Sequence, residues 1–388
     1  MENKAKGKRQ KAEGNWARVI LPPWSSTPAR RAASRRAFDG SNSGPMPDRA
    51  SGVRRLGRTQ VRPSNSPLTL RIPVSPFILG CALAAGAASA QPYPSKPVRI
   101  IVAAAPGGGT DFVSRLMGSK LTESLGQQVL VENRAGAGST IGYEYGVKSA
   151  PDGYTLTMIT GSYSINPSLY PIKFHPLNDF TPVIWVARGP YVIAVHPSLP
   201  VKTTRELIAL AKARPGQIIY GSSGQGAIVH LTTELFLHMA GVKMTHVPYK
   251  GGGPAMTDLL AGHIQLVFAT APVGLPQAKA GRLRALAVTT STRVAAEPGI
   301  PTVAESGVPG YEVTNWHGLI GPKGLPRPVV ERLNGEMAKI LQQKDMEGRL
   351  QSDGLSPVGG TPEQLFEQIR KEIGQWRQVV VRAGIQIN

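Results

Sequence analysis

The sequence predicts an α/β fold of two domains, each a mainly parallel sheet flanked by helices, joined by a two-stranded hinge. Three observations predict it. From Lys96 onward, strand-like and helix-like segments alternate, which implies parallel sheets covered on both faces. The alternation runs through one complete unit and then starts again as a second. Two extended segments, "YVIAVHP" (191–197) and "YEVTNWHGLIGP" (311–322), lie between the units and after the second one. The chain therefore crosses between domains twice. The expected division is 91–194 with 315–388 for the first domain and 195–314 for the second.

What precedes the first unit has a different character. Of the 388 residues, 1–90 hold 16 Lys and Arg against 4 Asp and Glu, over half of the net charge of +20. Residues 1–70 are rich in Pro, Ser and Gly and lack hydrophobic periodicity, the composition of a disordered basic extension. Residues 71–90, "RIPVSPFILGCALAAGAASA", combine an Arg, an apolar run from Phe77 and the small-x-small ending Ala88-Ser89-Ala90. That is a secretory signal cleaved after Ala90, too short to remain as a membrane anchor. Signals start within about thirty residues of the N-terminus, so the extension points to an upstream start assigned in error, with Met46 one internal candidate. "ILGC" resembles a lipoprotein box, but most of the apolar run follows Cys81, which argues against lipidation. Cys81 is the single cysteine. The exported chain then has no disulfide and no thiol chemistry. Its remaining positive charges are scattered, without a stripe or interleaved aromatics, and nucleic acid is not an expected partner.

The first unit opens with the buried-strand run "VRIIVAA" (98–104), a glycine bend, and a helix presenting Val113, Leu116, Met117, Leu121 and Leu125, stopped by Gly126. "QVLVEN", a helix over "IGYEYGVKSA" and the strand "TLTMIT" (155–160) complete it. The second unit begins with a helix at 204–214, opened by the capping box Thr203-x-x-Glu206. "QIIYG" leads through "SSGQG" to a helix bearing Ile228, Leu231, Leu235 and Met239. "KMTHVP" leads through "YKGGGP" to a short helix, and "IQLVFA" through "TAP" to a helix at 273–280. "LRALAVT" closes the series. The tail holds helices near 327–343 and 361–383. The second starts Thr361-Pro362-Glu363-Gln364 and carries the apolar face Leu365, Ile369, Ile373, Trp376, Val380. Having no sheet of its own, the tail is expected to return and cover the first unit.

Each glycine-rich or small-residue bend follows a strand and precedes a helix, the ligand edge of an α/β sheet. Free amides and the positive helix end favour an anion there. "PGGGTD" (106–111), "TGS" (160–162), "SSGQG" (222–226) and "TAP" (270–272) would face one cleft if the domains oppose each other. Each bend alone is equally a tight turn. Asp111 either contacts a ligand or caps its helix, and Lys250 either pairs with a ligand carboxylate or stands idle. His230, Glu234 and His238 share one helix face as a metal constellation or, more commonly, a polar stripe. "GAGSTIG" (136–142) reads GxGxxxG and not the dinucleotide pattern GxGxxG. "GSSGQ" (221–225) misses a nucleophile elbow at Gln225. With no base–nucleophile pair, metal set or cofactor loop, the residues give no reason to expect an enzyme, a cofactor or a bound metal.

The motifs "YPSKPVRIIVAAAPGGGTD", "VENRAGAGSTIG", "APDGYTL", "YGSSGQG", "HVPYKGGGPAMTDLLAGHIQLVF", "PTVAESGVPGYEV" and "GGTPEQ" occur in order from Tyr93 toward Ile385. Together they resemble the substrate-binding proteins of tripartite tricarboxylate transporters, the Bug family. The resemblance implies a periplasmic, two-domain, type II binding-protein (Venus-flytrap) fold. It implies a monomeric receptor that captures a small organic carboxylate and serves membrane permease subunits or, alternatively, a sensor kinase. It places the ligand between the domains, at Pro106, Gly107, Gly108 and Asp111 of the first loop and Gly161 and Ser162 of the third-strand loop. From the second domain it adds Ser222, Ser223, Gly224, Gly226, Ala227, Thr270, Ala271 and Pro272. The small residues of "AAAPGGG", where relatives often carry bulkier ones, and Tyr163 after the third-strand loop reshape the side-chain pocket.

Overall fold

The computed structural model describes residues 93–382 and 385. The basic extension and the signal at 71–90 lie outside the described residues. Among the described residues no helix is long and apolar enough to cross a membrane.

In the first lobe, β1 (Val98–Val102) pairs in parallel with β2 (Val129–Asn133) and β3 (Thr155–Ile159). Between β1 and β2 runs α1 (Gly109–Leu125), ended by Gly126 in the left-handed conformation at φ 66°, where glycine carries no Cβ penalty. Val113, Met117, Leu121 and Leu125 are buried, and Leu116 is half-buried at the edge of the stripe. Next come α2 (Thr140–Val147) and, after β3, α3 (Gly161–Leu169).

The crossing strand β4 is longer than the segment expected, running Phe180–Val195. In the second lobe follow α4 (Thr204–Ala213), β5 (Ile219–Ser222), α5 (Ile228–Ala240), β6 (Thr245–Pro248), α6 (Gly252–Leu260), β7 (Leu266–Thr270), α7 (Ala271–Lys279) and β8 (Arg284–Val288). The return strand is β9 (Thr314–Pro322). Strand order is β2-β1-β3-β9-β4-β7-β5-β6, with β8 and β10 (Ser356–Gly360) also on β4. Each lobe thus holds a parallel trio, β2-β1-β3 or β7-β5-β6, joined to antiparallel pairs at the crossing. β4 changes partners midway. Its ladder with β9 ends at Pro190↔Thr314, and its ladder with β7 begins at Tyr191↔Thr270. Proline has no N–H to donate, so Pro190 suits the break between ladders.

The second lobe's helix α5 buries a different stripe from the one expected. Phe236 and Leu237 are inside while Met239 is 39% exposed. The stripe runs through Val229, Leu231, Thr232 and Phe236, so Met239 rotates out to solvent. At α4, Thr203 Oγ1 accepts the Glu206 N–H as expected, but the Glu206 carboxylate accepts from the Lys202 N–H, one residue before the cap.

The tail adds α8 (Arg327–Leu341), α9 (Lys344–Ser352), β10 and α10 (Pro362–Arg382). The Thr361–Gln364 capping box is complete: Thr361 N–H donates to Gln364 Oε1 at 2.9 Å and Gln364 N–H to Thr361 Oγ1 at 3.3 Å. Leu333, Met337, Ile340, Met346 and Leu350 pack with α1 in the first lobe's core. The long α10 does more than cover that lobe. Leu365 and Ile369 join Trp316 and Phe180 in the first lobe, whereas Trp376 and Val380, with Ile385 beyond the helix, belong to the cluster that holds Ile165 of α3 and Tyr220, Phe236 and Phe268 of the second lobe. Besides the two crossing strands, a helix therefore spans the lobes. Its apolar stripe is continuous, so burying both ends contributes roughly 1.5–3 kcal/mol per large side chain.

Candidate functional site

A cavity of about 60 Å³ lies between the lobes. Helix starts line it from six elements. Gly108, Gly109 and Thr110 open α1, Ser139 caps α2, and Thr160 and Ser162 open α3. From the second lobe come Ile228 and Val229 of α5, Gly252 of α6, and Thr270 and Val273 of α7. The first amides of a helix have no intrahelical acceptor, and the dipole makes that end positive. None of the lining residues is Asp, Glu, Lys, Arg or His. The remaining wall is Ala103, Ala104, Met158, Val267, Phe268 and Ala269, with Tyr143, Tyr191 and Asn315 supplying polar atoms. This arrangement suits a small anion with an apolar portion, held by dipoles and hydroxyls.

The lobes touch through backbone as well as side chains. Ala105 N–H donates to the Lys250 carbonyl at 2.9 Å. Ile228 N–H donates to Ser162 Oγ at 3.0 Å, and Tyr170 OH donates to the Gln225 carbonyl at 2.5 Å. A Cβ on Gly253 would overlap the Pro106 carbonyl oxygen, and one on Gly109 would overlap Thr270 Oγ1. Glycine here permits close approach of two backbones.

Of the residues singled out from the sequence, Gly108, Ser162, Ser223 and Thr270 line the cavity. The others shape the loops around it. Gly107 N–H donates to Asp111 Oδ2 at 3.1 Å, and Pro106 lies against Gly253. Asp111 is buried and also accepts from Arg115 and from Asn133 Nδ2 (2.9 Å). Burial pushes its carboxyl up, but the bonds from Arg115, the Gly107 amide and Asn133 together hold it below the usual carboxylate value. It tethers the loop to α1, while the cap position itself belongs to Gly108. A Cβ on Gly161 would come within 3.0 Å of the Ile228 side chain. Ser222 is fully buried, with Oγ 2.6 Å from His246 Nε2 and accepting the Gly224 N–H at 3.1 Å. Gly226 N–H donates to His230 Nδ1, and Ala227 N–H to the Gly224 carbonyl. Ala271 and Pro272 are buried in the first turn of α7.

Five lining residues with polar or backbone roles escaped the sequence reading: Ser139, Tyr143, Tyr191, Gly252 and Asn315, while Thr160 belongs to the bend 160–162 already singled out. The "GAGSTIG" and "GGGP" bends carried the same strand-to-helix signal as the others. Tyr191 and Asn315 lie on the crossing strands, whose position in the cleft follows only from the lobes facing each other.

The remaining candidates resolve into structure. His230 stacks on His246 with ring centroids 4.1 Å apart, and Tyr220 OH donates to Glu234. Burial lowers His230 to about 4; burial, then the neighbouring His230, lowers His246 to about 3, so both are neutral near pH 7. His238 is exposed. Among the described residues no group of three His, Cys, Asp or Glu is placed to hold a metal ion. Lys250 meets the first lobe through its carbonyl, at Ala105.

Residues 113–385 match the sequence profile of the tripartite tricarboxylate transporter family receptor. The chain belongs to this receptor family. Protein BugT of Bordetella pertussis is 37% identical over 323 residues, covering 82% of this chain and 99% of BugT. Among solved structures, the periplasmic binding protein BugD is similar at 34% identity and a TM-score of 0.74, over 76% of this chain and 99% of BugD. The R. palustris protein Rpa4515, solved with adipate, is 38% identical with a TM-score of 0.74, again over 76% and 99% of the two chains. The two-lobed α/β architecture of this receptor is the Venus-flytrap fold of periplasmic binding proteins. The helix starts line the cleft between its lobes.

Proposed function

We propose that this chain is an exported receptor that captures one small organic carboxylate between its lobes and delivers it to a membrane transporter of the tripartite tricarboxylate type. The observation that carries the reading is the convergence of six helix starts on one cavity lined by no Asp, Glu, Lys, Arg or His. A carboxylate there would gain hydrogen bonds from backbone amides and hydroxyls in a water-poor setting, without a fixed Arg. The adipate in the related R. palustris structure supports the ligand class. The division of labour is simple in physical terms: closure traps the acid, and the closed shape is what a membrane partner recognises. We place the site at Gly108, Ser162, Ser223 and Thr270 together with Ser139, Thr160 and Gly252, and the exported form at residues 91–388.

A thermal-shift screen of that form against small carboxylates and their amides tests the reading. A ligand at a hundredfold its Kd stabilises the folded state by about 2.7 kcal/mol. Melting temperatures that stay fixed across the carboxylate panel, or turnover of a bound acid, would overturn it.

A further inference from the structure

Most polar atoms around the cavity sit at helix starts, but one pair does not. Asn315, on the return strand β9, is only 2% exposed and lines the cavity. Its Oδ1 accepts from Tyr191 OH at 3.0 Å, while its Nδ2 has no partner. A buried donor left unmade costs free energy, so a group in this state on a binding-cavity wall marks the place where a ligand supplies the acceptor. The amide is also held in orientation. Tyr191 N–H donates to Thr289 Oγ1 at 2.8 Å, and Thr289 N–H donates to the Tyr191 carbonyl at 2.9 Å, fixing the tyrosine from both sides of its backbone. Burial first, then the nearby Glu372 and Tyr143, push the Tyr191 phenol well above its ordinary range. It therefore remains a donor, which commits Oδ1 to it and leaves Nδ2 for the cavity.

Met158, Val267 and Phe268 give the same cavity an apolar part of its wall. The geometry points to Asn315 as a specificity-determining ligand contact that reads a second hydrogen-bond acceptor on the acid, beyond an apolar stretch from the carboxylate held at the helix starts. Tyr191 is its positioning residue. The inference rests on the carboxylate-receptor reading and adds to it which acids are preferred. A second carboxylate and a neutral amide share the required acceptor chemistry.

Titration calorimetry on the exported form distinguishes them, with two probe sets: butyrate, succinate and succinamate, and hexanoate, adipate and adipamate. In wild type, the acceptor-bearing acids of at least one set bind about tenfold or more tighter than the simple acid. In Asn315→Leu the ratio between them falls toward one. Asn315→Asp, which keeps the shape and replaces the donor by an acceptor, inverts the preference for the diacid, and melting curves confirm that both variants fold. Preference for the diacid or for the amide then tells which acceptor the site takes. The inference is overturned if simple acids bind as tightly as their acceptor-bearing partners in wild type, or if the folded variants keep the wild-type ratio. Failure of every probe to bind wild type sinks the receptor reading itself, and this inference with it.

Discussion

Ile228, the first residue of α5, donates its backbone N–H to Ser162 Oγ at 3.0 Å across the cleft. The hydroxyl of one lobe thus occupies the helix start of the other. Because both residues line the cavity, the bond exists only when the lobes are together, and it contributes to the closed state alone. Ser162→Ala removes it while leaving each lobe's own core intact. A net hydrogen bond of about 1 kcal/mol corresponds to roughly fivefold weaker carboxylate binding. Calorimetry against any acid that stabilises wild type measures this, and small-angle scattering of the variant should show a more open form.

Gly253 makes a complementary prediction with effects of opposite sign. It is the second residue of α6, and an added Cβ would overlap the Pro106 carbonyl oxygen in the other lobe. In Gly253→Ala the atoms nearest that Cβ, of Pro106 and Gly107, all belong to the other lobe, and alanine is the better helix former of the two residues. The unliganded variant is therefore expected to melt at or above the wild-type temperature. Its stabilisation by ligand is expected to shrink, since the lobes cannot close fully. Parallel melting curves with and without acid check both halves.

Much of this layout was legible before any coordinates. The strand–bend–helix rhythm showed because glycine interrupts a clear apolar period, as at Gly126. The parts that stayed hidden depend on partners distant in sequence. Helix α9, "KDMEGRLQS", has few apolar residues, and β10, "SPVGG", holds a Pro and two glycines against strand propensity. β10 forms because it pairs with β4 beside Gly189, where a Cβ would overlap the Gly354 carbonyl region. Met239 looked inward because its spacing from Leu235 suits a helix face, yet the tighter neighbours were Phe236 and Leu237. Four loops aimed at an anion could be read from the sequence, and the bends at Ser139 and Gly252 carried the same strand-to-helix signal without anything to show that they face the same cleft. Whether a bend faces a cleft is decided by tertiary placement.

The bridging helix α10 offers a test of how the lobes are coupled. Trp376 is 8% exposed and belongs to the cluster that holds Ile165 of α3 and the second lobe's core residues, although the helix begins on the first lobe. Trp376→Ala is expected to cost about 3–5 kcal/mol, the range for large-to-small changes at buried aromatics. Because the lost contacts join a first-lobe helix to the second lobe, amide exchange should rise in the C-terminal half of α10 and in its second-lobe neighbours before it rises in α1. Hydrogen exchange resolved by segment measures the order, and uniform acceleration across both lobes would contradict the bridge.

Glu372 sits on the same helix near the seam, 8% exposed, accepting from Trp316 Nε1 at 2.8 Å and Gln368 Nε2 at 2.9 Å. Burial pushes its carboxyl up to about 7, against bonds from Trp316 and Gln368 that favour the ionised form. The ordinary value in an unfolded chain is 4.5. Below that value the acid is protonated in both states, and its contribution to stability is fully present. As pH rises from 4.5 to about 7 the unfolded chain ionises while the folded one keeps its proton, so the contribution is progressively lost. The loss is on the order of 3 kcal/mol. His230 and His246 work in the other direction: lowered to about 4 and about 3 from 6.5, they add stability as pH rises through the interval below 6.5. A single pH–stability curve therefore mixes opposed slopes. Glu372→Gln keeps the shape and the histidines, so the difference between variant and wild type isolates the carboxyl. That difference should grow in the variant's favour between pH 4.5 and 7 and level off above, as read from urea midpoints across the range. A difference independent of pH would mean that Glu372 ionises in the folded protein as it does in the unfolded chain.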